Sequence, residues 1–226
     1  MPLPYTAEAL RRGGRLKIVA IGSSSTAGAG ASDRSMNYPS RLAEELRRRF
    51  PNRDITVVNK GVGGETATQM LARFQKDVLE LKPNLVIWQL GSNAALKGVS
   101  PEAFERSVRE GVRRLKAGKV DIVLMDLQLS PRVVRLPAHE KIMAVIKATA
   151  GDMKVAVFRR YEAMRYWFQQ GGMQPADVFA RDRLHMNDLG YACVARLLAA
   201  SLADAVKEPA NPTPADAAPA GSPRSP

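Results

Sequence analysis

Five short apolar runs recur along this chain, and helical patterns separate them. The runs are nearly continuous in apolar character, which is typical of strands that are buried on both faces. They cover Leu16–Ile21, Asp54–Val58, Leu85–Leu90, Val120–Leu127 and Lys154–Phe158. The helical patterns cover Tyr38–Phe50, Thr66–Leu81, Pro101–Ala117, Pro137–Ala150 and Asn187–Val206. This alternation predicts an α/β fold with a parallel five-stranded sheet, right-handed crossovers and helices on both faces.

The composition changes near residue 207. A length of 226 residues with 45% apolar residues suits one domain with a full core, or one domain plus a tail. From Lys207 onward, six of the 15 prolines lie among small and polar residues. Such a segment buries too little surface to offset the entropy of ordering it. We therefore expect one domain over residues 1–206 and a disordered Pro/Ala-rich tail over residues 207–226.

Cysteine, histidine and charge content exclude several classes of protein. One cysteine excludes a disulfide framework, and two histidines argue against a histidine-rich metal site. The net charge of +12 is scattered, and 6% aromatic residues supply few platforms for stacking bases, so we expect a solvated basic surface without nucleic-acid binding. No apolar run approaches the roughly 20 residues that cross a bilayer. Without a targeting segment, the sequence predicts a cytoplasmic protein, or a periplasmic or secreted one if this is a mature form.

Glycine-rich loops follow the first two predicted strands, at the sheet edge where active sites of such folds form. The first loop carries three consecutive serines, Ser23 to Ser25, and the second contains Gly63-Gly64. Neither loop completes a phosphate-binding motif, because the P-loop lysine and the third glycine of the dinucleotide fingerprint are missing. Taken singly, the loops are explained by a serine-rich helix cap and a tight turn.

Two further loops carry groups suited to acid–base chemistry. Asn93 follows the third strand, and Asp182 lies three residues before His185, ahead of the last helix. That spacing lets a carboxylate hold one imidazole nitrogen and leave the other free as a base. The structural alternatives are an ordinary turn asparagine, a surface aspartate and a partly buried histidine.

Together, these loops resemble the four sequence blocks of the SGNH (GDSL-type) hydrolase family. The blocks are Gly22-Ser23-Ser24, Gly64, Gly91-Ser92-Asn93 and Asp182-x-x-His185, in the family's order, and the match spans about residues 16–204. The resemblance implies a flavodoxin-like, three-layer α/β/α sandwich and ester chemistry without a metal or organic cofactor. It implies that Ser24 is the nucleophile, His185 its base and Asp182 the orienting acid. It further implies an oxyanion hole formed by the backbone N–H groups of Ser24 and Gly64 and the side-chain amide of Asn93.

The chain departs from the family pattern at two positions. Ser23 and Ala94 stand where family members usually carry aspartate. Neither position belongs to the triad or to the oxyanion donors, so the chemistry can survive. Ser23 and Ser25 flank Ser24, and the choice of nucleophile among the three rests on the alignment with the family serine.

Functions of different classes stay open at this point. The first is a serine esterase or deacetylase that removes small O-acyl or O-acetyl groups from a small-molecule or carbohydrate ester. An O-acyltransferase would share the triad and the first half-reaction. The alternative is a catalytically decayed binding module for anionic polymers, with Ser23 and Ala94 as signs of lost chemistry. The intact Ser24, Asp182 and His185 favour the esterase, and no motif specifies the substrate or the oligomeric state.

Overall fold

A computed structural model describes residues 1–11 and 14–207. Its strands are β1 (Arg15–Gly22), β2 (Asp54–Gly61), β3 (Leu85–Gln89), β4 (Asp121–Met125) and β5 (Ala156–Phe158). Its α-helices are α1 (Pro4–Arg11), α2 (Ser24–Ala27), α3 (Tyr38–Arg49), α4 (Ala67–Ala72), α5 (Phe74–Asp77), α6 (Ser92–Leu96), α7 (Pro101–Ala117), α8 (Pro131–Val134), α9 (Ala138–Asp152), α10 (Arg160–Gln169), α11 (Pro175–Val178) and α12 (Asp188–Lys207). Short 3₁₀ helices cover Arg34–Met36 and Leu79–Leu81.

The five strands form one sheet in the order β2-β1-β3-β4-β5, and every neighbouring pair is parallel. This arrangement confirms the predicted fold class. Because the strands are parallel, the loops that follow them meet at one edge of the sheet. The chain winds to opposite sides from β1, so the loops after β1 and β3 diverge there and leave a crevice, the usual ligand position in such sheets.

Each face of the sheet packs against its own layer of helices. Along β1, Ile18 and Ala20 belong to the cluster covered by α3 and α12, whereas Val19 and Ile21 belong to the cluster covered by α7 and α9. Alternate side chains of a strand point to opposite faces, and both faces here are buried. This double burial accounts for the nearly continuous apolar runs of β1, β3 and β4, whereas the edge strands β2 and β5 are only partly buried.

The predicted helix over Thr66–Leu81 is interrupted, and in this respect the prediction is wrong. The structure divides it into α4, α5 and a 3₁₀ turn. The break falls at Arg73, whose guanidinium group turns inward and donates to the carbonyl of Lys60 at 2.9 Å and to Asp77 at 3.0 Å. The contact between Arg73 and Lys60 therefore accompanies a break in the helix that the apolar periodicity predicted.

The last helix, α12, is apolar over a longer stretch than we predicted from the sequence. By length and composition alone, α12 is apolar enough to cross a membrane. Its most apolar window contains two charged residues, Arg196 and Asp204. Of that window, 44% is buried inside the fold, and Tyr191, Val194 and Leu198 pack into the core. The helix is thus a core element of the sandwich.

The domain boundary predicted between residues 206 and 207 lies next to the last described residue. Lys207 is the last residue of α12. The remainder of the predicted disordered tail, residues 208–226, lies outside the described residues.

Candidate active site

The turn after β1 exposes one of its three serines. Ser23 and Ser25 are 3% and 1% exposed, whereas Ser24 is only partly buried. The N–H and hydroxyl groups of Ser23 donate to Gln89 Oε1 at 2.9 and 3.1 Å, and the hydroxyl of Ser25 donates to Gln128 Oε1 at 2.8 Å. Two of the hydroxyls are therefore engaged inside the protein, which leaves that of Ser24 facing the crevice.

The loop before α12 folds Asp182 back onto His185. Arg183 adopts a left-handed conformation with φ of 57°, which turns the chain sharply between the two. The backbone N–H groups of Leu184 and His185 each donate to Asp182 Oδ1 at 3.0 Å. The other oxygen, Oδ2, lies 2.5 Å from His185 Nδ1. The spacing of three residues thus produces the carboxylate–imidazole pair that the sequence predicted.

The second imidazole nitrogen of this pair reaches the serine turn. His185 Nε2 lies 2.8 Å from Ser24 Oγ, although the two residues are 161 positions apart in the chain. Ser24, His185 and Asp182 therefore form a continuous chain of hydrogen bonds. The structure brings together the three residues that the family resemblance singled out.

The surroundings of Asp182 favour its ionised form. Partial burial raises the pKa of this carboxyl, but the hydrogen bonds from the N–H groups of His185 and Leu184 and from the His185 ring outweigh burial and lower its pKa below the ordinary value. An ionised carboxylate accepts the Nδ1–H proton of a neutral imidazole. Nε2 is then free to accept the proton of the Ser24 hydroxyl.

The predicted oxyanion donors Gly64 and Asn93 lie on the loops that follow β2 and β3, the two strands that flank β1 in the sheet. Gly64 has a φ of 79°, a left-handed conformation that L side chains rarely adopt. Asn93 is in the first turn of α6, and its Nδ2 donates to the carbonyl of Glu65 at 2.9 Å. An amide nitrogen carries two N–H bonds, so one is available to a ligand. Within residues 1–11 and 14–207, the backbone N–H groups of Ser24 and Gly64 have no hydrogen-bond partner.

Arg73 holds the loop that carries Gly64, although the sequence did not indicate it as a site residue. Arg73 Nε donates to Glu65 Oε2 at 2.8 Å, and the same guanidinium group bonds to the carbonyl of Lys60. These contacts fix both ends of the loop between β2 and α4. The only local signal was an arginine inside an otherwise helical pattern, which predicts nothing about its partners.

The two residues that depart from the family pattern, Ser23 and Ala94, are both buried and uncharged. Ser23 bonds to Gln89, and Ala94 is 2% exposed within the apolar cluster under α7 and α9. Gln89 is buried at the end of β3, whose other residues are apolar. Its carboxamide oxygen accepts hydrogen bonds from Ser23, so this glutamine supports the turn that carries Ser24.

The parallel α/β/α sandwich and the Ser–His–Asp chain at its carboxyl edge together define the class of SGNH hydrolase-type proteins. Within that class, the chain belongs to the Non-GDSL lipase-like family, whose model matches residues 1–208. The resemblance inferred from the four sequence blocks is thereby confirmed. Residues 22–25 are Gly-Ser-Ser-Ser, so the chain itself has no GDSL sequence there.

Two curated relatives carry hydrolase names. The chain is 27% identical over 124 residues to the thioesterase 1/protease 1/lysophospholipase L1 of Escherichia coli K12, a match of 53% of this chain and 59% of that protein. The matched segment thus spans less than two thirds of that relative. The chain is 29% identical over 152 residues to the esterase TesA of Pseudomonas aeruginosa, a match of 65% of this chain and 71% of that protein.

A solved structure shares the fold over nearly the whole chain. A two-domain esterase active on acetylated mannans superposes with a TM-score of 0.78 at 22% identity, covering 94% of this chain and 57% of that one. At this identity the likeness shows the fold alone.

Proposed function

We propose that the protein is a serine esterase that cleaves carboxylic esters with small acyl groups. The observation that carries this proposal is the 2.8 Å contact between Ser24 Oγ and His185 Nε2, with Asp182 on the far side of the imidazole. A serine hydroxyl is a poor nucleophile until a base removes its proton, and neutral imidazole is suited to that task near pH 7. The exposure of Ser24 gives an ester access to this pair.

The proposed reaction proceeds through an acyl-enzyme. His185 Nε2 takes the Ser24 proton as Oγ bonds to the ester carbonyl carbon, and the carbonyl oxygen becomes an oxyanion that the donors of Ser24, Gly64 and Asn93 stabilise. As the tetrahedral intermediate collapses, the carbon–alkoxide bond breaks and His185 protonates the departing alcohol. Water, deprotonated by His185, then attacks the acyl-enzyme, and the acid is released as Ser24 regains its proton.

The relatives support this class of substrate. Those of E. coli and P. aeruginosa are named for thioester and ester hydrolysis, and the structural neighbour acts on acetylated mannans. We accordingly propose an O-acyl or O-acetyl ester of a small molecule or carbohydrate as the substrate. Release of free acetate, measured with and without an added alcohol acceptor, distinguishes hydrolysis from acyl transfer.

A fluorophosphonate probe tests the nucleophile directly. We expect one probe molecule to phosphonylate Ser24 with loss of fluoride and to abolish turnover of 4-nitrophenyl acetate. Peptide mass spectrometry locates the adduct among Ser23, Ser24 and Ser25, whose hydroxyls differ in burial. An adduct on Ser23 or Ser25 would reject the assignment. Failure to turn over any small ester, together with no labelling, would favour a decayed binding module.

We expect Asn93→Ala to lower kcat for 4-nitrophenyl acetate by about 10²–10³-fold, the usual loss when one oxyanion donor is removed. The truncated side chain removes an N–H that bonds to the oxyanion, so KM should change much less than kcat. Steady-state kinetics measures both. Gln69→Ala is the matched control, because this amide caps α4 beside the same loop and should leave kcat near the wild-type value. Equal losses in the two variants would contradict the assignment.

A further inference from the structure

A buried glutamine joins the two halves of the candidate site. Gln128, three residues after β4, is 1% exposed, and both ends of its carboxamide are bonded. Its Oε1 accepts from Ser25 Oγ at 2.8 Å, and its Nε2 donates to the carbonyl of Leu184 at 2.8 Å. Ser25 adjoins Ser24, and Leu184 adjoins His185. One side chain therefore connects the serine turn to the histidine loop.

The two partners require an amide at this position. The carbonyl of Leu184 only accepts hydrogen bonds, so it orients the NH₂ group of Gln128 toward itself. The carboxamide oxygen then faces Ser25, whose hydroxyl donates. A carboxylate would satisfy Ser25 but would repel the carbonyl of Leu184, and an apolar side chain would leave both buried groups unpaired. Both bonds are long-range, spanning 103 and 56 positions of the chain.

We propose that Gln128 is a positioning residue that sets the distance between Ser24 and His185. The inference rests on the proposed function, because alignment of this pair matters only if the pair reacts. Ser24 and His185 lie on separate loops, and their single hydrogen bond tolerates little relative movement. A displacement of about 1 Å between reacting groups costs up to about 10²-fold in rate. Gln128 restrains that displacement without touching the substrate.

The test is a graded series of variants at both ends of the bridge. Gln128→Met keeps similar length and removes both hydrogen bonds, and we expect kcat to fall by about 10–100-fold with KM within about threefold. Gln128→Glu keeps the acceptor for Ser25 but places a carboxylate oxygen against the carbonyl of Leu184, so it should also lower kcat. Ser25→Ala removes the other end with minimal loss of volume and should also lower kcat. In a double-mutant cycle, the effects of Ser25→Ala and Gln128→Met should be less than additive.

Ser130→Ala tests whether a loss of protein stability alone lowers kcat. Ser130 is buried on the same loop, and its hydroxyl caps α8 by accepting from the N–H of Val133 at 3.2 Å. We expect this variant to lower the melting temperature while keeping kcat close to wild type at 25 °C. If Ser130→Ala and Gln128→Met lose kcat in proportion to their loss of stability, the role of Gln128 is structural and the proposal fails.

Hydrogen exchange provides a readout that needs no turnover. In Gln128→Met, the N–H groups of Leu184 and His185 should exchange faster, because the carbonyl that held their loop has lost its partner. Unchanged exchange would overturn the proposal whether or not esters are hydrolysed. A wild-type protein without turnover would reject the proposed function, whereas an active wild type with unimpaired Gln128→Met would reject the positioning role alone.

Discussion

Ser24→Ala is expected to lower kcat for 4-nitrophenyl acetate by about 10⁶-fold, the scale of loss when a serine nucleophile is removed from a triad enzyme. The change deletes one oxygen atom from a partly exposed side chain, so the fold should keep its melting temperature. The loss should appear in kcat, because no acyl-enzyme forms. The rate above the uncatalysed background, measured by release of 4-nitrophenolate, reports the effect.

Ser23→Ala is the matched neighbour for this experiment. It also deletes one hydroxyl from the same turn, but that hydroxyl is buried and bonds to Gln89 at 3.1 Å. We expect it to retain turnover that is readily measured under conditions in which Ser24→Ala shows none. If Ser24→Ala hydrolyses the ester as fast as wild type, Ser24 is not the nucleophile and the esterase mechanism proposed here is wrong.

The strand positions could be predicted from the sequence because burial on both faces of a sheet favours consecutive apolar residues. The apolar residues of β1, β3 and β4 are consecutive because these strands are buried on both faces, and all five predicted runs overlap observed strands. Elements that are stabilised by contacts between residues far apart in sequence show no comparable pattern. Helix α1 is one example: the N–H and hydroxyl groups of Thr6 donate to the buried Asp121, each at 2.7 Å, from 115 positions away.

The same distinction applies to the candidate site. The pairing of Asp182 with His185 follows from a spacing of three residues and was predictable locally. Their approach to Ser24 followed from the family resemblance and from the rule that loops after parallel strands meet at one edge. Gln89 and Gln128 were missed as partners of the serine turn, because a glutamine at the end of an apolar strand shows nothing in sequence about which loop its amide will reach.

Asp182→Asn tests the carboxylate separately from the turn that it stabilises. The asparagine oxygen can still accept from the N–H groups of Leu184 and His185, so the loop conformation should persist. Its NH₂ group, however, would face His185 Nδ1 in place of Oδ2. A donor there favours the imidazole tautomer that carries its proton on Nε2, and that nitrogen can no longer accept the proton of Ser24.

We therefore expect Asp182→Asn to lower kcat by about 10⁴-fold with little change in melting temperature. Asp188→Asn provides the control, because this carboxylate also lies beside the histidine loop but bonds to the N–H and hydroxyl groups of Ser32. Steady-state kinetics of both variants at pH 7 gives the comparison, and Asp188→Asn should stay near the wild-type rate. If Asp182→Asn keeps a large part of wild-type kcat, His185 does not need this carboxylate to hold its reactive tautomer. Ser24 and His185 would then act as a dyad, and the low pKa of Asp182 would reflect only its role in closing the turn around Arg183.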